Sequence, residues 1–170
     1  MKRFAILTFP ILFLTACGGS NLSKHVDSKN GFEIGFPTDW DTSSTDQYMA
    51  FMALESYVDS TDVFAEGFSV SAVPNEGHEL TEIVEQNIMM AEMYYQGVQI
   101  KREDITTETG LSGIQLSLDY EREGIQLTNY ASFFNSETSL FTITQSVETS
   151  KVETYKPIFE EVINSFTLVD

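Results

Sequence analysis

Apolar residues recur along this chain with two different periods, and the switches between them mark out its elements. Phe32, Ile34 and Phe36 alternate with Gly31, Glu33 and Gly35, which predicts a strand with one buried face, ended by Pro37-Thr38-Asp39 and followed by Trp40. Gln47 to Ser56 is a second apolar stretch; its helical spacing is poor, so it reads as a strand. Asp59-Ser60-Thr61-Asp62 reads as a turn. Phe68, Val70 and Ala72 alternate again until Pro74-Asn75-Glu76-Gly77 breaks the pattern.

The period then lengthens. Leu80, Ile83, Val84, Asn87, Ile88, Ala91, Tyr94 and Tyr95 fall at three- and four-residue steps, predicting a helix from Glu79 to about Gln96. Glu79 and Glu82 stand where the helix dipole favours acids, and Gly97 fits the C′ position. After Gly97 the period returns to two. Val98 to Thr107, then Ile114 to Tyr120, Ile125 to Phe133 and Phe141 to Val147 are four predicted strands. The turns between them are Glu108-Thr109-Gly110, Arg122-Glu123-Gly124 and Asn135-Ser136-Glu137, the mark of an antiparallel meander. Tyr130 and Phe134 lie on the face opposite Phe133, as expected of a sheet covered on both sides.

Ser150-Lys151-Val152-Glu153 has the form of a capping box, and Ile158, Phe159, Val162, Ile163 and Phe166 make an apolar stripe behind it. Pro157 sets two alternatives: a helix kinked at the proline, or one that starts near Thr154. Strands, helix, four strands and helix argue an α+β domain, an antiparallel β-sheet flanked by helices.

Ahead of the domain stand three short segments. Met1-Lys2-Arg3 is cationic, Phe4 to Leu14 is nearly all apolar, and Leu14-Thr15-Ala16-Cys17 leads into Gly18-Gly19-Ser20. The apolar run is shorter than the ~20 residues a membrane span needs. A positive start, a short apolar run and small residues before the cut are the features of a secretory signal. Leu-Thr-Ala-Cys resembles the lipobox of bacterial lipoproteins, so residues 1–16 are expected to be a signal peptide and Cys17 the acylated residue. Residues 17–30 are small, polar and aperiodic and read as a flexible tether, leaving residues 31–170 as one domain.

Phe32-x-Ile34-x-Phe36-Pro37-x-x-Trp40 resembles the opening of the PsbP-like superfamily, including DcrB-like bacterial lipoproteins. Leu80, Leu111-Ser112-Gly113 and Pro157 through Ile163-x-Ser165-Phe166 are similar to further landmarks of that family, so the likeness spans roughly residues 31–168. It implies an α/β/α sandwich and the role of a non-enzymatic binding or assembly factor at an envelope membrane. The metal-linked histidines of plant members have no match among the residues here.

Charge narrows the partners. The chain carries 9 Lys+Arg against 26 Asp+Glu, a net charge of −17. No basic footprint exists for nucleic acid, and electrostatic docking on anionic lipid is disfavoured. The expected partners are the bilayer, through acylated Cys17, and an envelope protein. Because Gly18 is not the aspartate that commonly retains lipoproteins at the inner membrane, the periplasmic face of the outer membrane is the expected address.

Candidate chemistry is sparse. The only histidines are His25, in the tether, and His78, in the loop before the first helix. No mature thiol, paired-histidine motif or nucleophile elbow is present, so no catalytic residue, cofactor or metal ligand set is assigned. Asp59-x-x-Asp62 lacks the full spacing of a calcium loop. Glu79, Glu82 and Glu85 on the helix, and Asp119, Glu121 and Glu123 near a turn, read as solvated acids. A small-ligand or metal-binding module is the alternative function, with a carboxylate-based hydrolase behind it. Met49, Met52, Met89, Met90 and Met93, with Tyr94 and Tyr95, are expected mainly to fill the core. If the stripe is wider than the sheet can cover, Met89, Met93 and Tyr95 become a partner surface.

Acylation has a direct check. Cys17→Ser should abolish metabolic labelling with a fatty-acid analogue and release the protein from membranes; normal labelling of the variant would refute the assignment.

Overall fold

The computed structural model describes residues 21–44, 49–56 and 64–169. Asp59–Asp62 and Cys17 therefore lie outside the described residues. Among the described residues, ten strands and two helices follow one another as β1 (Leu22–Asp27), β2 (Phe32–Pro37), β3 (Asp41–Ser43), β4 (Phe51–Leu54), β5 (Gly67–Pro74), α1 (Leu80–Tyr94), β6 (Gln99–Thr106), β7 (Ser112–Arg122), β8 (Ile125–Asn135), β9 (Ser139–Glu148), α2 (Val152–Ser165) and β10 (Thr167–Leu168). They form a seven-stranded sheet in the order β3-β4-β5-β9-β8-β7-β6 and a three-stranded sheet in the order β1-β2-β10, with every pairing antiparallel. The α+β expectation holds.

The alternation read from sequence becomes two cores on opposite faces of the large sheet. Ile114, Leu116, Leu118 and Tyr120 of β7 share a face with Leu127 and Phe133 of β8, and α1 covers them with Val84 and Ala91. Phe134, Phe141, Ile143 and Val147 point the other way, onto Phe159, Val162 and Ile163 of α2 and onto Phe32 and Ile34 of the small sheet. The register enforces this split, because Phe134 pairs with Phe141 and Phe133 with Thr142. Glu123 and Gly124 both take positive φ (55° and 82°), the geometry of a two-residue turn that matches the twist of the strands it joins.

The stretch read as tether is shorter than expected. Leu22–Asp27 is β1, paired with β2 along its whole length, from Leu22↔Pro37 to Asp27↔Phe32. Its polar sequence hides the strand: the inward position is filled by His25, whose ring stacks on Phe51 at 4.0 Å. Asp27 closes the turn after it, accepting hydrogen bonds from the backbone N–H groups of Lys29 and Asn30.

The second helix also differs in detail. It begins at Val152 after a 3-10 turn over Thr149–Lys151, and no side chain caps it, so the capping box does not form. Pro157 sits inside the helix. The turn is instead held by Glu66, a fully buried carboxylate that pairs with Lys151 at 3.0 Å and accepts a hydrogen bond from the Glu148 N–H. A buried carboxylate is tolerable only when paired in this way. Gly97 keeps its left-handed conformation (φ 75°) but lies two residues past the C-cap, Tyr95.

Trp40, 6 % exposed, is wedged against Phe68, Tyr155 and Phe159. Trp40→Ala should lower the unfolding free energy by ~3–5 kcal/mol in denaturant titration; a loss under ~1 kcal/mol would contradict this packing.

Candidate functional site

Two surfaces merit consideration, one on each side of the large sheet. The first is the outer face of α1. The helix buries Val84 and Ala91 and half-buries Leu80, Ile83 and Ile88, yet its sequence holds more apolar residues than one buried stripe can take. The surplus lies in solvent: Met89 is 63 % exposed, Met90 47 %, Met93 68 % and Tyr94 71 %. The expectation that these methionines fill the core is therefore corrected. They stand on the turns of α1 away from the buried Val84 and Ala91. Tyr95 departs from its companions. It is half-buried and stacks on Tyr120 at 4.1 Å, so it supports the surface from beneath and is not part of it. Met52 is half-buried in β4.

Carboxylates border the methionines. Glu82, Glu85 and Glu92 are exposed on the same helix, which contains no Lys or Arg. Glu85 accepts a hydrogen bond from Nη1 of Arg102 at 2.7 Å, from the neighbouring edge strand β6. Glu82 approaches Nδ1 of His78 at 3.8 Å. Glu79 is the N-cap residue, without a side-chain capping bond. The solvated-acid reading of these residues agrees with their exposure.

The second surface is a cleft of about 350 Å³ between α2 and the β6–β8 part of the sheet. Ile105, Gln115 and Tyr130 line it from the sheet; Lys156, Phe159 and Glu160 line it from the helix. Two hydrogen bonds stiffen it: Gln115 Nε2 donates to Ser132 Oγ at 2.7 Å, half-buried, and Gln145 Nε2 to the Phe159 carbonyl at 2.8 Å, fully buried. Burial raises the Tyr130 hydroxyl above its ordinary range, and the carboxylates Asp119, Glu160, Glu103 and Glu153 push it further the same way. Tyr130 therefore stays protonated at neutral pH, a hydrogen-bonding group and not a base.

The acids near the β7–β8 turn do not converge into a reacting pair. Asp119 accepts from the Thr128 hydroxyl at 2.7 Å, Glu121 accepts from Gln126 Nε2 at 2.7 Å, and Glu123 occupies the turn itself. Among the described residues, no group of three or more His, Cys, Asp or Glu side chains could hold a metal ion. None of their helices is long and apolar enough to cross a membrane. Sequence reasoning missed Glu66 and its partner Lys151, which lie 85 residues apart and carry no local motif.

No family model and no curated protein matches the sequence. Solved structures do match it in fold. Cyanobacterial PsbP (CyanoP) from Synechocystis sp. PCC 6803 superposes with a TM-score of 0.63 at 16 % identity, covering 90 % of this chain and 95 % of that one. PA94 of Pseudomonas aeruginosa, described as a putative regulator of unknown function, gives 0.58 at 19 % identity, with 89 % and 98 % covered. LpqN of Mycobacterium tuberculosis, described as involved in cell envelope biogenesis, gives 0.58 at 14 % identity, with 89 % and 93 % covered. The chain has the PsbP-like fold.

His25 gives this fold a pH dependence. Burial against Phe51 and Phe32 lowers its pKa from 6.5, only partly opposed by Asp27. The unfolded chain then binds a proton more readily than the folded one, so stability falls as pH drops below 6.5. His25→Phe should flatten the thermal-unfolding profile between pH 7 and about 5.5 relative to wild type; an unchanged slope would contradict a desolvated imidazole.

Proposed function

We propose that this protein is a lipid-anchored lipoprotein of the cell envelope, held at the periplasmic face of the outer membrane. It serves as a non-enzymatic binding or assembly factor and takes a protein partner on the outer face of α1. The observation that carries this reading is the exposure of Met89, Met93 and Tyr94 together on one helix. Apolar residues scattered singly over a surface need no explanation, whereas a group on one rigid element marks an interaction site. Methionine adds adaptability, because its unbranched thioether repacks against different shapes.

The layering agrees with an anchor on one side and a partner on the other. Leu22, the first residue of β1, stands five positions after Cys17. That stretch extends at most about 18 Å, so an acylated Cys17 keeps the domain close to the bilayer. β1 belongs to the layer on the α2 side of the large sheet, and α1 covers the opposite side. The involvement of LpqN in cell envelope biogenesis, and the accessory character of PsbP-like proteins, support the same reading.

The cleft under α2 favours a second reading, a small-ligand module, through the amide, hydroxyl and ammonium groups it brings together at Gln115, Tyr130 and Lys156. The two readings separate by mutation. Met89→Ser with Met93→Ser should abolish partner crosslinking and the envelope phenotype while leaving the unfolding midpoint within about 2 °C, since both side chains are exposed. Gln115→Trp, which fills the cleft, should leave both intact. The reverse pattern would make the cleft the working site.

A further inference from the structure

We infer that the segment received by the outer face of α1 is a basic amphipathic helix. This rests on the partner surface proposed above and adds the chemistry of its occupant.

The argument starts from what surrounds each methionine. Residues three and four apart on a helix are neighbours. Met89 therefore stands between Glu85, four residues before it, and Glu92, three residues after it, with Glu82 one further turn away. Met93 extends the same ridge. From Glu82 to Met93 the surface runs eleven residues, about 16 Å or three turns. It is a short apolar ridge with carboxylates on its flanks and no basic residue of its own helix to neutralise them. Glu79 and Glu92 have no ion-pair partner among the described residues. One cation already shows how the rim is read: Arg102 donates from Nη1 to Glu85 at 2.7 Å, across the edge of the helix.

Charge then decides among occupants. A second copy of this chain would set two such acidic ridges against each other, inside a protein whose net charge is −17, and like charges facing one another cost free energy. An anionic bilayer repels the same carboxylates. α1 also lies across the large sheet from β1, the described strand nearest Cys17 in sequence. A partner helix with an apolar stripe between Lys or Arg residues satisfies both components: its stripe covers Met89 and Met93, and its cations meet Glu82 and Glu92. This is helix-in-groove recognition reduced to a ridge, with the flexible thioethers supplying the fit.

The probe is a fluorescent Leu/Lys amphipathic peptide of about 18 residues, five turns long. It is titrated against the full chain in phosphatidylcholine vesicles, with binding to empty vesicles subtracted. A Leu/Glu peptide of the same pattern and a scrambled Leu/Lys peptide are the controls. The Leu/Lys peptide should bind, and both controls should bind at least about tenfold more weakly. Met89→Ser with Met93→Ser should weaken the Leu/Lys peptide about tenfold. Glu82→Gln with Glu92→Gln should weaken it several-fold and flatten its salt dependence. Circular dichroism keeps folding failure apart from binding failure. Equal binding of the scrambled peptide, or no effect of either pair of substitutions, overturns the inference.

A photocrosslinker at position 93, in cells that make the full chain, supplies the second arm. Crosslinked fragments carrying an apolar stripe flanked by Lys or Arg support the inference. An acidic or uncharged protein segment, lipid, or a second copy of this chain overturns it. A protein segment of the wrong charge leaves the partner surface standing, whereas lipid alone removes that reading too.

Discussion

Phe166 stands where α2 ends and β10 begins, and its fully buried ring reaches Phe32 at 6.0 Å, Phe134 at 5.1 Å and Phe141 at 5.6 Å. One of those rings belongs to the small sheet and two to the large one, so a single side chain joins both sheets to the helix. Everything on the α2 side depends on this junction, because a small domain without disulfides is held by its apolar core. The only cysteine, Cys17, lies outside the described fold and can form no bridge within it. Ser165, the residue before, adds direction. Its hydroxyl donates to the Val162 carbonyl at 2.6 Å and accepts from the Gly35 N–H at 2.8 Å, fixing the end of α2 against β2. A Cβ at residue 35 would come within 3.0 Å of that oxygen, which is why glycine stands there.

The same geometry explains which parts of the fold were legible in the sequence. Alternation at Ile114–Tyr120, Ile125–Phe133 and Phe141–Val147 revealed the meander because each strand has one face on a continuous core, so burial wrote itself into the residues. The Leu111-Ser112-Gly113 motif also has a local cause. A side chain at Gly113 would meet the Phe133 carbonyl and the Phe134 ring at 2.6 Å. β1 was illegible because pairing with β2, and not apolar content, defines it, and because a histidine fills its inward position. β3 and β10 are three and two residues long, too short for any period to show. The capping box failed because a 3-10 turn pinned by Glu66 and Lys151 already delivers the chain into α2.

The candidate surface was half legible for a related reason. Periodicity tells which residues are apolar but not how wide a stripe the neighbouring sheet can cover. The side of α1 toward β7 and β8 takes Val84 and Ala91, and in part Leu80, Ile83 and Ile88, with Tyr95 against Tyr120, while Met89, Met90, Met93 and Tyr94 are left exposed. Met89 and Met93 are therefore identifiable as surface only conditionally, and Tyr95, named with them on the same condition, is half-buried against Tyr120. Cross-strand and cross-helix ion pairs such as Arg102–Glu85 carry no signal at all in one sequence.

Exposed methionines on an acidic protein raise the question of why the surface is tolerated. A contiguous apolar surface invites self-association, and solubility normally argues for polar residues there. Here the two features offset each other. The carboxylates that flank Met89 make contact between like copies unfavourable, while leaving the ridge open to a segment of opposite charge. On the proposed partner surface, negative charge would therefore act both by repelling wrong occupants and by attracting a cationic one, which is how specificity is usually built at adaptable surfaces. The desolvated His25, its pKa lowered by burial, is the counterpart on the far side of the sheet: its ring stacks on Phe51 and packs β1. Protonation there would loosen the strand that leads to Cys17 without touching the residues of α1, because the large sheet lies between them.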